Sequence, residues 1–274
     1  AAGCGRIGQR CRRRWQHRGG VLMTPIDNHK RIAVAFSGGK DSLAVTYLLR
    51  PYWDRVTFYH CDAGDLLPET VEVVKHVEAM VPKFVRIETD SRSWMERFGL
   101  ASDVVPVSCT PLGLTMSNGK GGGVAVVDRH ACCGANIWAP VHERLAADGI
   151  TLAIRGTRRA DYGWGVLAAA SGVAGGSTVT VDGREYWFPI HDWSTDQVFD
   201  YLRSVGAPIA RYYEHNGQGP ECACCPAYLD EERATYLKRY HPALADRYAS
   251  NIRKIAAEIS RPVGQLQTEL EALA

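Results

Sequence analysis

The sequence predicts an α/β fold: an open, mostly parallel, twisted sheet with helices on both faces, followed by a C-terminal cysteine-bearing and helical extension. Short apolar runs alternate with segments whose apolar residues recur every three or four positions, the pattern of strands joined by helices. A glycine-containing turn follows the first apolar run directly. The 274 residues are 46% hydrophobic and 23% charged, which fits one large globular domain or two small ones.

The first hundred residues predict three strands that alternate with three helices. The predicted strands cover residues 31–36, 56–61 and 84–88, and the predicted helices cover residues 41–53, 69–81 and 93–98. The second helix is indicated by valines at positions 71, 74, 77 and 81. This alternation implies a parallel sheet with right-handed crossovers.

The second half of the chain predicts further elements of both kinds. Residues 131–147 form a helix with an internal Pro140, 151–155 a strand, and 178–188 a hairpin that turns at Asp182-Gly183. Ser194 and Gln197 form a capping box for the next helix. Loops are expected at 117–123 and 172–177, and the tail from Leu229 is helical with breaks near Pro242 and Pro262.

Charge and composition indicate the domain organisation. Residues 1–22 hold six arginines and no acid, so residues 1–29 are interpreted as a basic, flexible arm, followed by a main domain over 30–228 and a helical segment over 229–274. There is no apolar run long enough to span a membrane and no secretory signal pattern, so a cytoplasmic protein without membrane contact is expected. Nine cysteines in such a chain indicate metal or redox chemistry rather than disulfides.

The segment Ser37-Gly38-Gly39-Lys40-Asp41-Ser42 lies between the first strand and the first helix. A helix N-terminus offers unpaired N–H groups and a positive dipole end to a phosphate, and Lys40 and the two serines add a charge and hydroxyl donors. The spacing is not that of a Walker loop. It resembles the PP-loop of the adenine-nucleotide α-hydrolase superfamily, which implies that all six residues bind a nucleotide.

Two further segments resemble the phosphoadenosine phosphosulfate (PAPS) reductase domain family within that superfamily. Asp62-Ala63-Gly64 with Pro68-Glu69-Thr70 is similar to one motif of this family, and Gly156-Thr157-Arg158-Arg159-Ala160-Asp161 to another. The resemblance implies that Asp62, Gly64 and Gly156 contact the nucleotide. It also implies catalytic roles for Lys40, Asp41, Arg158 and Arg159, since arginine forks suit phosphate or sulfate oxygens.

Five cysteines form two groups. Cys132 and Cys133 are adjacent at the predicted start of a helix, and Cys222-Ala223-Cys224-Cys225 follows later in the chain. The two groups resemble the [4Fe-4S] ligand set of iron–sulfur reductases in this family, which implies Cys132, Cys133, Cys222 and Cys225 as ligands, with Cys224 as a substitute for either neighbour. Four thiolates also suit tetrahedral zinc, and four unligated buried cysteines are the remaining alternative.

Two departures from the family pattern bear on function. Reductases of the family carry a nucleophilic cysteine in a C-terminal Glu-Cys-Gly-Leu-His segment, whereas no cysteine follows Cys225 here, and Ile137 replaces a lysine found near the cluster. The sequence therefore favours ATP pyrophosphatase or adenylation-type sulfur transfer, as in DNA phosphorothioation or thiolation systems. ATP with Mg²⁺, a sulfur donor such as a cysteine desulfurase or a thioredoxin-like protein, and a nucleic-acid acceptor are the expected partners.

Two alternatives remain open at the level of sequence. The first is a sulfonucleotide reductase that forms sulfite from PAPS or from adenosine phosphosulfate (APS), with Cys224 or Cys109 as the nucleophile. The second is a non-catalytic subunit that binds nucleotide or, through the basic arm, nucleic acid.

Overall fold

The computed structural model describes residues 24–104, 124–161, 177–215, 222–227, 229 and 231–274. Residues 1–23 of the predicted basic arm over 1–29, the loop at 117–123, most of the loop at 172–177, and Cys109 lie outside the described residues. The chain divides into two compact units. We refer to residues 1–61, 68–87 and 141–210 as the sheet unit and to residues 62–67, 88–140 and 211–274 as the cysteine unit. The domain boundaries at residues 29 and 228 stay predictions.

Eight strands are described, six in one sheet and two in a second. They are β1 Ile32–Ala35, β2 Val56–Asp62, β3 Phe84–Glu88, β4 Leu100–Ser102, β5 Val126–Asp128, β6 Leu152–Ile154, β7 Thr178–Val181 and β8 Arg184–Trp187. The six-stranded sheet has the order β3-β2-β1-β6-β8-β7. Strand β1 is parallel to β2 and β6, β6 is parallel to β8, and only β7 is shown antiparallel to its neighbour. The predicted mostly parallel α/β sheet is confirmed.

The strand order places a reversal beside β1. The chain proceeds from β1 outward to β2 and β3 and then returns to the other side of β1 as β6. In open parallel sheets, ligands bind beyond the carboxyl ends of the strands at such a reversal. The segments that follow β1 and β6 are therefore the first place to look for a site in the sheet unit.

The helices begin and end close to their predicted positions. They are α1 Lys40–Leu48, α2 Pro68–Met80, α3 Ser91–Phe98, α4 Arg129–Cys133, α5 Ala139–Ala147, α6 Thr195–Ser204, α7 Glu231–Tyr240 and α8 Pro242–Leu273, with a π-helical turn at Gly134–Trp138 between α4 and α5. The capping box of Ser194 and Gln197 begins α6 as predicted. No described helix combines the length and the apolar character needed to cross a membrane.

One prediction about the C-terminal helices is wrong. The chain breaks at Pro242 as expected, but α8 continues through Pro262 to Leu273. Proline removes one main-chain donor from a helix, and here the helix tolerates that loss, with Tyr248 and Ile255 buried earlier along its length. The cysteine pair lies within the first five residues of a continuous helical segment from Arg129 to Ala147, which contains the π-helical turn, so its predicted place near the start of a helix is confirmed.

Each unit has its own buried cluster. In the sheet unit, side chains from β1, β2, β6 and β8 pack against the end of α5; the buried members are Ala33, Tyr59, Leu145, Ile150, Ala153, Tyr186 and Phe188. The β7–β8 hairpin turns at Asp182 and Gly183, with φ values of 50° and 76°, as the Asp-Gly signal predicted. In the cysteine unit, the short parallel pair β4–β5 contributes to a cluster that also contains Cys132.

A hydrogen bond between Tyr59 and Asp148 fastens β2 to the chain beyond α5. The Tyr59 hydroxyl donates to Asp148 Oδ2 at 2.7 Å, and this bond, with help from Arg144, lowers the pKa of the Asp148 carboxyl. A carboxyl with a lowered folded-state pKa adds stability above its unfolded pKa, and that contribution is lost as the pH falls through the folded value.

We expect Tyr59→Phe to lower the free energy of unfolding by about 1–2 kcal/mol at neutral pH. The deficit should shrink as the pH falls below about 4, because protonation of Asp148 removes the same contribution from the parent protein. Urea unfolding at neutral and acidic pH measures both values. The matched control is Tyr52→Phe, at a half-buried tyrosine whose hydroxyl has no described hydrogen bond. A deficit that does not depend on pH would contradict the expectation.

Candidate nucleotide site and cysteine group

The predicted phosphate loop connects β1 to the N-terminus of α1. Gly38 has a φ of 86° and lies against α2, where a Cβ atom would come within 2.8 Å of Thr70 Cγ2. Both the left-handed conformation and the close approach require glycine at this position. Gly39 is the N-cap of α1 with no side-chain capping bond. The first N–H groups of the helix are therefore oriented at the loop, as an anion site requires.

The two serines of the loop fix its shape. The Ser37 amide donates to Ser42 Oγ at 3.3 Å, and the two hydroxyl oxygens are 3.2 Å apart. Ser42 Oγ also donates to the carbonyl of Gly39 at 2.9 Å. Ser37 is exposed and Ser42 is buried, so Ser37 is the hydroxyl presented to solvent while Ser42 braces the loop from within.

Lys40, Asp41 and Arg158 form a chain of charges behind the loop. The buried Lys40 ammonium donates to Asp41 Oδ2 at 2.8 Å, and Arg158 Nε lies 3.1 Å from Asp41 Oδ1. The Arg158 guanidinium also donates to Thr195 Oγ1 at 3.0 Å and to Asp161 Oδ1 at 2.8 Å. Only 6% of the Arg158 side chain is exposed, so this arginine is engaged with protein groups on each of its nitrogens.

Arg159 differs from Arg158 although the two are adjacent in sequence. Its side chain is 73% exposed and forms an ion pair with Asp192 at 3.1 Å. A surface pair of this kind is weak and readily exchanged for another anion. Of the two predicted arginines, Arg159 is the one that can turn to a phosphate without breaking a buried network.

Gly156 holds the segment after β6 against the phosphate loop. A Cβ atom at this position would lie 2.7 Å from the Asp41 carbonyl carbon and 2.7 Å from the Ser42 nitrogen. The backbone after β6 thus contacts the first turn of α1 directly. The structure thereby brings seven predicted residues into one neighbourhood of the sheet unit: Ser37, Gly38, Gly39, Lys40, Asp41, Ser42 and Gly156, with Arg158 beside them.

Asp62 and Gly64 belong to the cysteine unit. Asp62 is the last residue of β2, and its carboxylate accepts the Gly64 amide at 2.9 Å. The Asp62 carbonyl accepts the Thr89 amide, which holds the turn after β2 to the chain after β3. Contacts of Asp62 and Gly64 with a nucleotide stay predictions.

The four predicted cluster ligands all lie in the cysteine unit. Cys132 is buried in the same apolar cluster against which Cys225 packs. Cys133, Cys222 and Cys225 are half-buried, and the Cys225 amide donates to the Cys222 carbonyl at 3.3 Å, which closes a tight turn. Burial raises the pKa of the Cys132 thiol to about 11, with a smaller contribution from Cys225.

Cys224 has different surroundings from its neighbours. Its thiol contacts Arg247 Nη2 at 3.0 Å and the Leu244 carbonyl at 3.4 Å, and its amide donates to Asp65 Oδ2 at 3.0 Å. Burial raises the pKa of this thiol, and Asp65 adds to the effect. The side chain is thus engaged with α8, whereas Cys225 packs with Cys132. This difference favours Cys225 over Cys224 as a ligand.

The donor chemistry suits a thiolate-bound centre only in part. Within the described ranges, no group of three or more His, Cys, Asp or Glu side chains is arranged to hold a metal ion. Cys132 and Cys225 belong to one apolar packing cluster. Cys133 and Cys222 would have to come close to them for all four thiolates to bind one metal centre. A bound cluster at these cysteines therefore stays a proposal.

Sequence reasoning missed the pair of Asp65 and Arg247. Asp65 is 4% exposed and hydrogen-bonded to Arg247, and burial raises the pKa of its carboxyl against the opposing effects of Cys224 and Arg247. Asp65 directly follows the Asp62-Ala63-Gly64 motif, which was the one available signal. Arg247 lies in a helix with no motif, so nothing in the sequence linked it to Asp65.

A comparison with protein-family models finds one matching stretch of the chain. Residues 31–104 match the phosphoadenosine phosphosulfate reductase domain. The family resemblance predicted from the phosphate loop and from the Asp62-Ala63-Gly64 motif is confirmed over this stretch. No curated protein sequence matches the chain.

Solved structures with a similar fold include three enzymes. PAPS reductase from Candida auris in a phosphate complex is 13% identical, with a TM-score of 0.47 over 78% of this chain and 92% of that one. The U34-tRNA thiolase NcsA from Methanococcus maripaludis with its [4Fe-4S] cluster is 14% identical, with a TM-score of 0.46 over 90% and 78%. The NH3-dependent NAD synthetase from Campylobacter jejuni is 11% identical, with a TM-score of 0.45 over 94% and 96%.

Proposed function

We propose that this protein is a PP-loop enzyme that uses ATP to adenylate an acceptor oxygen and then transfers sulfur to the same position. The observation that carries the proposal is the loop between β1 and α1. Its glycine turn, its solvent-facing Ser37 and the open N-terminus of α1 suit a nucleotide phosphate, and the loop lies within the stretch matched by the PAPS reductase domain.

The residues of the sheet unit have distinct roles in this reaction. The N–H groups at the start of α1 and the Ser37 hydroxyl bind the phosphates, and Arg159 adds an exposed positive charge. Lys40, Asp41 and Arg158 keep the loop in shape from behind. Mg²⁺ enters with ATP as part of the substrate and offsets the phosphate charge.

The chemistry proceeds in two displacements. The acceptor oxygen attacks the α-phosphorus of ATP, the bond to the bridging oxygen of the β-phosphate breaks, and pyrophosphate leaves. Sulfur at the oxidation level of sulfide then displaces AMP from the adenylated acceptor. We propose a nucleic acid as the acceptor and a cysteine desulfurase as the sulfur donor. The desulfurase carries the sulfur as a persulfide, and a thioredoxin-like dithiol reduces it to the level of sulfide with two electrons and becomes a disulfide.

A [4Fe-4S] cluster at Cys132, Cys133, Cys222 and Cys225 forms part of the proposal, with zinc as the competing occupant. Two observations support this ligand set. Cys225 packs against the apolar cluster that contains Cys132, and a tight turn connects Cys222 to Cys225. A bound cluster would supply a sulfur-binding or electron-carrying centre.

Reduction of PAPS or APS to sulfite is the second candidate, favoured by the domain that residues 31–104 match. It needs a thiolate nucleophile. Among the described cysteines, Cys224 is fully buried and its pKa is raised, so it does not suit this role. Cys109 lies outside the described residues.

The test uses anaerobically purified full-length protein, supplied in separate reactions with ATP or with PAPS or APS plus thioredoxin. Pyrophosphate and sulfite are assayed together, and iron and acid-labile sulfide are counted on the same sample. We expect pyrophosphate from ATP without sulfite, and a loss of at least tenfold in Lys40→Ala.

Lys75→Ala is the matched control, because Lys75 is an exposed lysine on α2 in the same unit. It should keep the parent rate. Sulfite without pyrophosphate would replace the proposal with the reductase function. If neither pyrophosphate nor sulfite forms, but the protein binds ATP or nucleic acid, the result would favour the non-catalytic alternative.

A further inference from the structure

The cysteine unit contains a cavity that none of the roles above uses. Its volume is about 700 Å³, which is within the range of sites for small organic molecules. Its lining comes from α3, the segments before β4 and β5, and α8. Asp65, from the turn after β2, and Cys224 complete the lining.

Positive charge dominates the lining. Four cationic side chains, those of Arg92, Arg97, Arg247 and Lys254, face two acids. One of these acids, Asp65, is already paired with Arg247. Within the described part of the chain, Arg92 and Lys254 have no ion-pair partner. The cavity therefore has more positive charge than its own acids balance, which favours an anionic ligand.

Contacts within the protein fix the inner wall of the cavity. Arg247 is held by Asp65 and by the Cys224 thiol, so its guanidinium has a fixed position. Its Nε is buried and has no hydrogen-bond partner among the described residues, and a buried donor without a partner is costly. Ser250 and Asn251, one helical turn along α8, add neutral hydrogen-bonding groups.

Another part of the wall is apolar. Met95 and Leu100 are nearly fully buried, and Val124 and Ala125 complete this side. An inorganic ion would leave such a wall uncovered. The combination of a cationic side and an apolar side fits a ligand with one charged group and one organic group.

We propose that this cavity of the cysteine unit binds a small organic phosphate or sulfate ester. The ester oxygens contact Arg92, Arg247 and Lys254, and the organic group packs against Met95 and Leu100. The cavity is formed by the cysteine unit alone, whereas the phosphate loop belongs to the sheet unit. The inference does not depend on the proposed function, because no ATP turnover enters it.

Methionine methyl groups provide a local test with the full-length protein. Met95 lines the cavity, whereas Met80 ends α2 in the sheet unit. We would titrate phenyl phosphate, phenyl sulfate and inorganic phosphate into protein labelled with ¹³C at the methionine methyls, at constant ionic strength. The Met95 resonance is assigned from Met95→Leu. We expect a saturable shift at Met95 and not at Met80, with tighter binding of one of the phenyl esters than of inorganic phosphate.

The charge dependence is tested with two double variants of equal net charge. Arg92→Ala with Lys254→Ala removes cations of the cavity and should weaken ester binding at least tenfold. Lys75→Ala with Arg253→Ala removes two exposed cations that do not line it, and should leave the affinity unchanged. An unmoved Met95 resonance, equal affinities in the two double variants, or a shift at Met80 alone would overturn the proposal. The preferred ester identifies phosphate or sulfate as the recognised group.

Discussion

We expect Arg158→Ala to destabilise the sheet unit by about 1–3 kcal/mol, because it removes the cation shared by the half-buried Asp41 and the exposed Asp161, while Asp41 keeps its ion pair with Lys40. Arg158 is 6% exposed and contacts Asp41, Asp161 and Thr195. Arg158→Lys keeps the charge but cannot reach three partners with a planar fork, so its loss should be intermediate. Chemical unfolding followed by circular dichroism measures all three proteins.

Arg159→Ala is the matched comparison at the next position. Arg159 is 73% exposed, so its removal should change the free energy of unfolding by no more than about 0.5 kcal/mol. If Arg159 binds ATP phosphates as proposed, the variant should instead show a raised KM for ATP with little change in stability. Equal losses of stability at the two positions would contradict the division of roles between these neighbours.

The two arginines show where sequence reasoning about the site stops. The segment Gly156-Thr157-Arg158-Arg159 predicted two anion-binding side chains without any difference between them. The difference depends on Asp41 and Thr195, which are distant in sequence, and on the short 3₁₀ turn at Arg159–Asp161. Burial is set by such tertiary contacts, and residue spacing carries no record of them.

More of the fold than of the candidate site could be predicted from the sequence. Strand β3 has the predicted bounds, and the β7–β8 hairpin turns at the predicted residues, because apolar periodicity and turn chemistry are local signals. The strands β4 and β5 were not predicted. Pro262 was wrongly expected to end a helix, because local preference cannot weigh one lost hydrogen bond against the rest of a 32-residue helix.

The cysteine group was predicted less completely than the strands and helices, but more completely than the roles of the two arginines. Their spacing predicted a group of ligands, and the structure places all of the predicted ligands in one unit. The separate surroundings of Cys224 could not be foreseen, because they depend on Arg247 and Asp65. Cys225 follows Cys224 directly in the sequence, yet it packs against the apolar cluster that contains Cys132.

Gly156→Ala is expected to damage the phosphate loop through a contact that no side chain can relieve. The new methyl group would lie 2.7 Å from the Asp41 carbonyl carbon and 2.7 Å from the Ser42 nitrogen. These are main-chain atoms in the first turn of α1, so either the helix or the segment after β6 has to move. Overpacking of this kind costs about 1–3 kcal/mol, and the movement falls on the residues proposed to bind the nucleotide.

We therefore expect Gly156→Ala to weaken ATP binding by more than tenfold, beyond its effect on stability. Calorimetric titration with ATP and chemical unfolding separate the two effects. Gly264→Ala is the matched control: its added methyl group meets no atom within 4 Å and lies within α8, so it should stabilise the protein by up to about 1 kcal/mol. If Gly156→Ala binds ATP with the parent affinity, the close approach of the segment after β6 does not shape the phosphate loop, and nucleotide binding has to be sought elsewhere in the molecule.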